Sequence, residues 1–178
     1  MAFSSLAEID SYMKENTCEF WEAVIREEAR DSQQPEMDIV NRMTQMYRAM
    51  KEADETYDDT LTSHSGLSGK NGKRMADYAA THKCMCGEFG GAVMARAIKM
   101  AESNACMKRI VAAPTAGSCG VVPAILITYE RMTNTSENDM VKALFVAAGI
   151  GDVIARRASI SGARGGCQAE IGASSAKG

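Results

Sequence analysis

The chain is 178 residues long, 46% hydrophobic and 24% charged, with a formal net charge of −3. These values fit one globular domain or part of one and exclude a disordered or fibrous protein. The near-neutral balance gives no electrostatic drive toward nucleic acid or a membrane surface. Aromatics are 6% while methionine (13) and glycine (15) are abundant. Such a core packs helices closely through small side chains and fills gaps with flexible thioethers. Residues 1–60 carry 15 acidic and 6 basic side chains, and residues 61–178 carry 8 and 14. The division reads as an acidic, solvated helical segment (1–60) and a second region (61–178) suited to an anionic small molecule such as a carboxylate.

In chain order, Ser5-Leu6-Ala7-Glu8 fits a capping box and opens a first helix. Leu6, Ile9, Met13 and later Phe20 and Val24 supply a loosely helical apolar stripe whose register lapses near Asn16-Thr17. A second helix is expected from Pro35, with Met37, Val40, Met43, Met46, Tyr47 and Met50 recurring at helical spacing as a core face. Residues 60–73 are polar and glycine-bearing, a loop. A short helix over Lys73–His82 and a longer one over Glu88–Met107 follow, then an extended Arg109–Ala113 and a helix over Val122–Met132. Ser136 caps a helix over Asp139–Arg157, in which Gly149 and Gly151 each cost ~1 kcal/mol of propensity and so imply close packing there. Ser159–Gly166 reads as a loop, with Cys167 opening a final helix. The fold class is all-α, a helical bundle-like domain with Gly/Ser-rich loops.

Met1–Asp10 is too short and acidic for a secretory signal, so a cytoplasmic chain with reduced thiols is expected. Ile110–Tyr129 is uncharged over a membrane-span length, but Pro114, Gly117, Ser118, Gly120 and Pro123 break it, which favours a buried strand-loop-helix. The cysteines at 18, 84, 86, 106, 119 and 167 form no CxxC pair and no Cys–His ladder, so spacing alone gives no metal site. Cys84, Cys86, Cys106 and Cys119 are left open as ligands. His64 lies in a Ser-flanked loop where a general-base role is conceivable, whereas His82 reads as a structural residue in a helix.

Three loops stand out: Ser63–Gly72, Ala113–Gly120 and Ser159–Gly166. The latter two lead toward helix N-termini, where free amides favour an anion. None is a P-loop or a dinucleotide fingerprint. Cys119 and Cys167 each follow a glycine-rich turn at an expected helix start, which makes them candidate nucleophiles or ligands.

The run Asn104-Ala105-Cys106-Met107, followed by Ile110–Pro123 (IVAAPTAGSCGVVP), closely resembles the iron–sulfur-dependent L-serine dehydratase alpha chains. So do Ala158–Ala163 (ASISGA) and Gly165–Gly172 (GGCQAEIG), and Thr62–Gly69 is similar to the family's Gly-Leu-Thr-Gly-Gly loop, with Lys70 in place of its last glycine. The resemblance spans roughly Thr60 to Ala176. It implies a PLP-independent lyase converting L-serine to pyruvate and ammonia. A 4Fe–4S cluster would act as Lewis acid on the substrate hydroxyl. Cys167 would be one cluster ligand, and Ser65, Gly66, Ser68, Gly69, Thr115 and Ser118 would line the substrate site. The catalytic base is not assigned within this chain. It also implies a beta chain or domain as partner, in a homo- or hetero-oligomer. The family's further cluster cysteines lie in segments downstream of Gly178, so the alpha-chain domain (61–178) is expected to be incomplete at its C-terminus and inactive alone. Two alternatives stand beside this reading. One is a cysteine desulfidase-type relative acting on L-cysteine; the other is a non-catalytic helical fragment that only binds a partner chain.

Overall fold

The computed structural model describes residues 3–178; positions 1 and 2 of the acidic N-terminal segment lie outside them. Among the described residues the regular structure is helical: α1 (Leu6–Asn16), α2 (Phe20–Ser32), α3 (Glu36–Glu55), α4 (Asn71–Ala79), α5 (Gly87–Ala105), α6 (Val121–Thr133), α7 (Glu137–Arg157) and α8 (Gly162–Ser175), with a short 3₁₀ turn at Ala116–Ser118. The all-α expectation holds.

Helix starts follow local capping chemistry. The Ser5 hydroxyl accepts from the Glu8 amide at 3.2 Å, and Ser136 accepts from Asp139 at the same distance. The reciprocal half of the first box is shifted by one residue, because Glu8 Oε2 accepts from the Ser4 amide at 2.7 Å. The single first helix expected through Val24 is instead two. Thr17 adopts a left-handed φ of 48° and its amide closes on the Met13 carbonyl, so α1 ends there and α2 starts anew with a capping box of Glu19 and Glu22. The helix expected at Pro35 is therefore the third, and Pro35 sits just outside it as its N-cap. Residues 108–113 lead to the 3₁₀ turn without regular structure.

One core joins the two halves. Val24 and Ile25 of α2, Ile39, Tyr47 and Met50 of α3, Met100 of α5, Val122 and Ile127 of α6, and Met140, Leu144 and Phe145 of α7 are all buried together. Burying each such side chain contributes roughly 1.5–3 kcal/mol. A smaller cluster of Phe3, Ile9, Ala23 and Val153 seats α1 on α2 and α7. The methionine stripe of α3 is core at Met50 and Met43 and exposed at Met37 and Met46. Gly149 allows α2 to press on α7: a Cβ there would meet Val24 at 2.6 Å and Phe20 at 2.8 Å. Charge locks α3 to α6 and α7, with Arg48 on Glu137 at 2.8 Å and Lys51 on Glu130 and Glu137 at 3.2 Å each. No helix among the described residues is long and apolar enough to cross a membrane.

Candidate functional site

The last turns of α5 position the loops singled out above. Glu102 is 4% exposed, yet it is a carboxylate. Its oxygens accept from the Asn71 amide at 2.8 Å, the Gly72 amide at 3.0 Å and the Tyr57 hydroxyl at 2.7 Å. It thereby caps the start of α4, where free amides and the helix dipole favour negative charge. Burial by itself would raise the Glu102 carboxyl, but these hydrogen bonds outweigh it and hold the group below the usual range. The Tyr57 phenol is pushed up to about 12, by burial first and by the Glu102 carboxylate second. Gly72 lets α4 approach, since a Cβ there would stand 2.6 Å from Lys99 Cγ and 3.0 Å from its backbone.

Glu102 is the residue that sequence reasoning missed. Its signal is its register: Gly91, Ala95 and Glu102 share the helical face packed against α4, a placement that an unpaired acid could not occupy.

Two residues further on, Asn104 Nδ2 donates to the Ala116 carbonyl at 3.1 Å. It holds the 116–118 turn at the same end of α5. Thr115 Oγ1 and Ser118 Oγ lie 3.1 Å apart, with Ser118 buried and Thr115 partly open. The expected pair Thr115 and Ser118 is thus brought together. Ser174 of α8 fastens the same segment by donating to the Ala113 carbonyl at 3.0 Å. Cys119 corrects an expectation. It is 2% exposed, its Sγ faces the Met100 carbonyl at 3.8 Å, and burial pushes its thiol up. It packs as a core thiol that stays protonated, not as a nucleophile or open ligand.

The Ser159–Gly166 loop is also revised. Ser161 accepts from the Ala163 amide at 3.3 Å and α8 begins at Gly162, broken only at Gly166 with φ 69° and ψ −178°. Cys167 opens the second segment, as expected, and is exposed. On that segment, facing the 116–118 turn, stands Glu170. Its Oε2 lies 2.5 Å from where a Cβ of Gly117 would be, and its Oε1 lies 3.1 Å from the Cβ position of Gly162.

The Ser63–Gly69 loop closes on itself. The Ser63 amide donates to the Ser68 carbonyl at 2.8 Å, and Ser63 Oγ accepts from the Ser68 amide at 3.1 Å while lying 3.2 Å from Ser65 Oγ. Gly69 is fixed by close approach, because a Cβ would stand 2.6 Å from the Leu61 carbonyl oxygen. Ser65, Gly66, Ser68 and Gly69 run into the start of α4, which Glu102 caps, while Thr115 and Ser118 lie on the turn that Asn104 holds. No hydrogen bond among the described residues joins the two loops directly. His64 is exposed, and among the described residues no carboxylate orients it. His82 lies in the turn after α4 with φ 56°, not in a helix. Cys84 and Cys86 lie in that same turn region, Cys86 exposed.

An iron–sulfur cluster needs several thiolates converging on one point. Among the described residues no group of three or more His, Cys, Asp or Glu side chains could hold a metal ion. Cys167 is exposed and alone on α8, and Cys119 is turned into the core. These residues by themselves do not fit a cluster.

The fold is that of an all-helical domain in which Glu102 and Asn104, near the end of α5, anchor two of the small polar loops. Residues 15–178 match the family described as serine dehydratase alpha chain, and the chain belongs to that family. It is 34% identical over 173 residues to "Probable L-serine dehydratase, alpha chain" of Bacillus subtilis, covering 97% of this chain and 58% of that one. It is 35% identical over 172 residues to "L-serine dehydratase, alpha chain" of Peptoniphilus asaccharolyticus, covering 95% and 58%. A shorter stretch of 77 residues is 46% identical to an L-serine dehydratase of Escherichia coli, 43% of this chain and 17% of that protein. The chain thus spans 58% of the length of the alpha chains it matches. No solved structure matches it at a significant level.

Proposed function

We propose that this chain is the substrate-binding part of an enzyme that deaminates L-serine to pyruvate and ammonia, acting with a beta chain or domain. The α-proton leaves to a base and the Cβ–O bond breaks with loss of water. The resulting aminoacrylate tautomerises to an imine, which water hydrolyses to the two products. The observation that carries this reading is the convergence of the Thr115–Ser118 turn and α8 at the end of α5, within a chain of the serine dehydratase alpha family.

Each part of the site has a role in that reading. Thr115 and the loop Ser65, Gly66, Ser68 and Gly69 bind and orient the amino acid with hydroxyl and amide donors. Ser118, buried behind Thr115, fixes its hydroxyl. Glu102 and Asn104 touch no substrate; the first anchors the loop that runs into α4 and the second the 116–118 turn. Cys167 contributes one ligand to a cluster completed from outside residues 3–178. A cytoplasmic setting is consistent with six cysteines of which none is disulfide-bonded.

The test is anaerobic pyruvate formation from L-serine after iron–sulfide reconstitution, with and without a beta chain. Pyruvate only when the partner is present is the expected result. Sulfide from L-cysteine without pyruvate from L-serine would redirect the substrate. Neither product under any combination would reduce the chain to a partner-binding fragment.

A further inference from the structure

We propose that Glu170 recognises the α-ammonium of the substrate, in a slot kept open by Gly117 and Gly162. The inference rests on the amino-acid reading above and adds a residue to it. Glu170 is half-buried, and no hydrogen bond or ion pair reaches its carboxylate from the described residues. Other acids turned inward here are partnered: Glu102 has three donors, Asp54 meets Arg96 and Arg131, and Glu137 meets Arg48 and Lys51.

A partly buried carboxylate with no counter-charge beside it is open to a cation that a ligand brings. Its surroundings match an amino acid. The hydroxyls of Thr115 and Ser118 lie on the turn that Gly117 belongs to, and the exposed Cys167 thiol is three residues before it on α8.

The glycines carry the second half of the argument. Neither Gly117 nor Gly162 has positive φ, so conformation does not demand glycine at either place. What a side chain there would meet is Glu170 itself. A methyl at 117 would stand 2.5 Å from Oε2 and 3.2 Å from Cδ, and one at 162 would stand 3.1 Å from Oε1 and Cδ. The carboxylate thus rests over both glycines, and a methyl at either would make it swing away. That placement contributes no ion pair or hydrogen bond to the fold, which leaves the carboxylate for a bound cation.

The test uses the active enzyme containing this chain, with Glu170→Gln and Gly117→Ala variants. The probes are L-serine and 3-hydroxypropionate, which keeps the carboxylate and hydroxyl but lacks the ammonium. Loss of a charge-assisted contact in E170Q raises KM for L-serine about tenfold or more, with kcat changed far less. The inhibition constant of 3-hydroxypropionate stays at the parent value. G117A, which displaces the carboxylate, reproduces the same pattern. Equal weakening of both compounds, or a collapse of kcat at constant KM, overturns the proposal in favour of a shaping or proton-transfer role. Thermal denaturation of the chain decides separately: E170Q melts at or above the parent temperature, and a lower Tm would make Glu170 a fold-holding contact. An inactive parent enzyme would sink the serine reading, while the Tm comparison would still judge Glu170.

Discussion

Where α3 meets α6 and α7, charge is answered by charge; where the 116–118 turn meets α8, it is not. On the first side Lys51 bridges Glu130 and Glu137, Arg48 reinforces Glu137, and beneath them Tyr47, Met50 and Ile127 are almost wholly excluded from water. Burial pushes the Tyr47 phenol far above its ordinary value, as expected of a hydroxyl surrounded by core. On the second side there are hydroxyls, the glycines at 117, 162, 165 and 166, an exposed thiol and a carboxylate with no partner among the described residues. The contrast separates the part of the molecule that supplies stability from the part that holds groups ready for something else. Residues in a site are often locally suboptimal for folding, and the surrounding structure offsets that cost.

Three substitutions probe this division. The largest effect belongs to Ile127→Ala, at a position with no exposed surface. It removes packing at the junction of α3, α6 and α7 and is expected to cost about 2–5 kcal/mol in urea denaturation. A loss under about 1 kcal/mol would show that the core does not hold the chain together as one unit.

Glu102→Gln comes next, at about 1–3 kcal/mol, because it weakens the hydrogen bonds that tie α4 to α5. Its opening should be local, with faster amide exchange over residues 61–73 than in α3 or α7. Its pH dependence has a definite sign. Glu102 lies below its ordinary value of 4.5 when folded, so its contribution is complete above that value and is lost as the pH falls through the lowered one. The Gln variant should therefore flatten the stability profile in that acid window. An unchanged slope there would remove Glu102 from its place as the anchor of the loop.

The smallest effect is that of Arg48→Ala. Arg48 is mostly exposed, so its pair with Glu137 should contribute little to stability and weaken further in salt. A large, salt-independent loss would mean that the ionic side depends on this single contact.

The parts of the fold legible in sequence are those fixed at short range. Ser5 and Ser136 announce their helices because a cap acts across three residues. Gly149 announces close packing because glycine inside a helix is unfavourable unless something needs the space, here Val24 and Phe20. The break at Thr17 shows in sequence only as a lapse of the apolar register near Asn16-Thr17, since a left-handed residue is ordinarily glycine or asparagine and threonine carries no such mark. Gly162, Gly165 and Gly166 made the first turn of α8 read as a loop, yet the Ser161 cap and its seat against the 116–118 turn start the helix there, five residues before Cys167. In the site, the motif residues Thr115 and Ser118 could be read directly, whereas Glu102 acts on amides 30 and 31 positions away. Cys119 misled because a position at a helix start favours a thiolate only if water reaches it, and burial is a property of the assembled core.

Gly166 has a consequence of a different kind from that of Gly117 and Gly162. Nothing lies within 4 Å of a Cβ placed on it, so volume does not select glycine there. Its torsions, φ 69° and ψ −178°, are close to the mirror image of the extended backbone that ordinary residues prefer. That residue therefore sorts amino acids by handedness, not by size. One letter, repeated within a few residues, records two unrelated requirements: empty space around a carboxylate, and a chain that must turn the other way before Cys167.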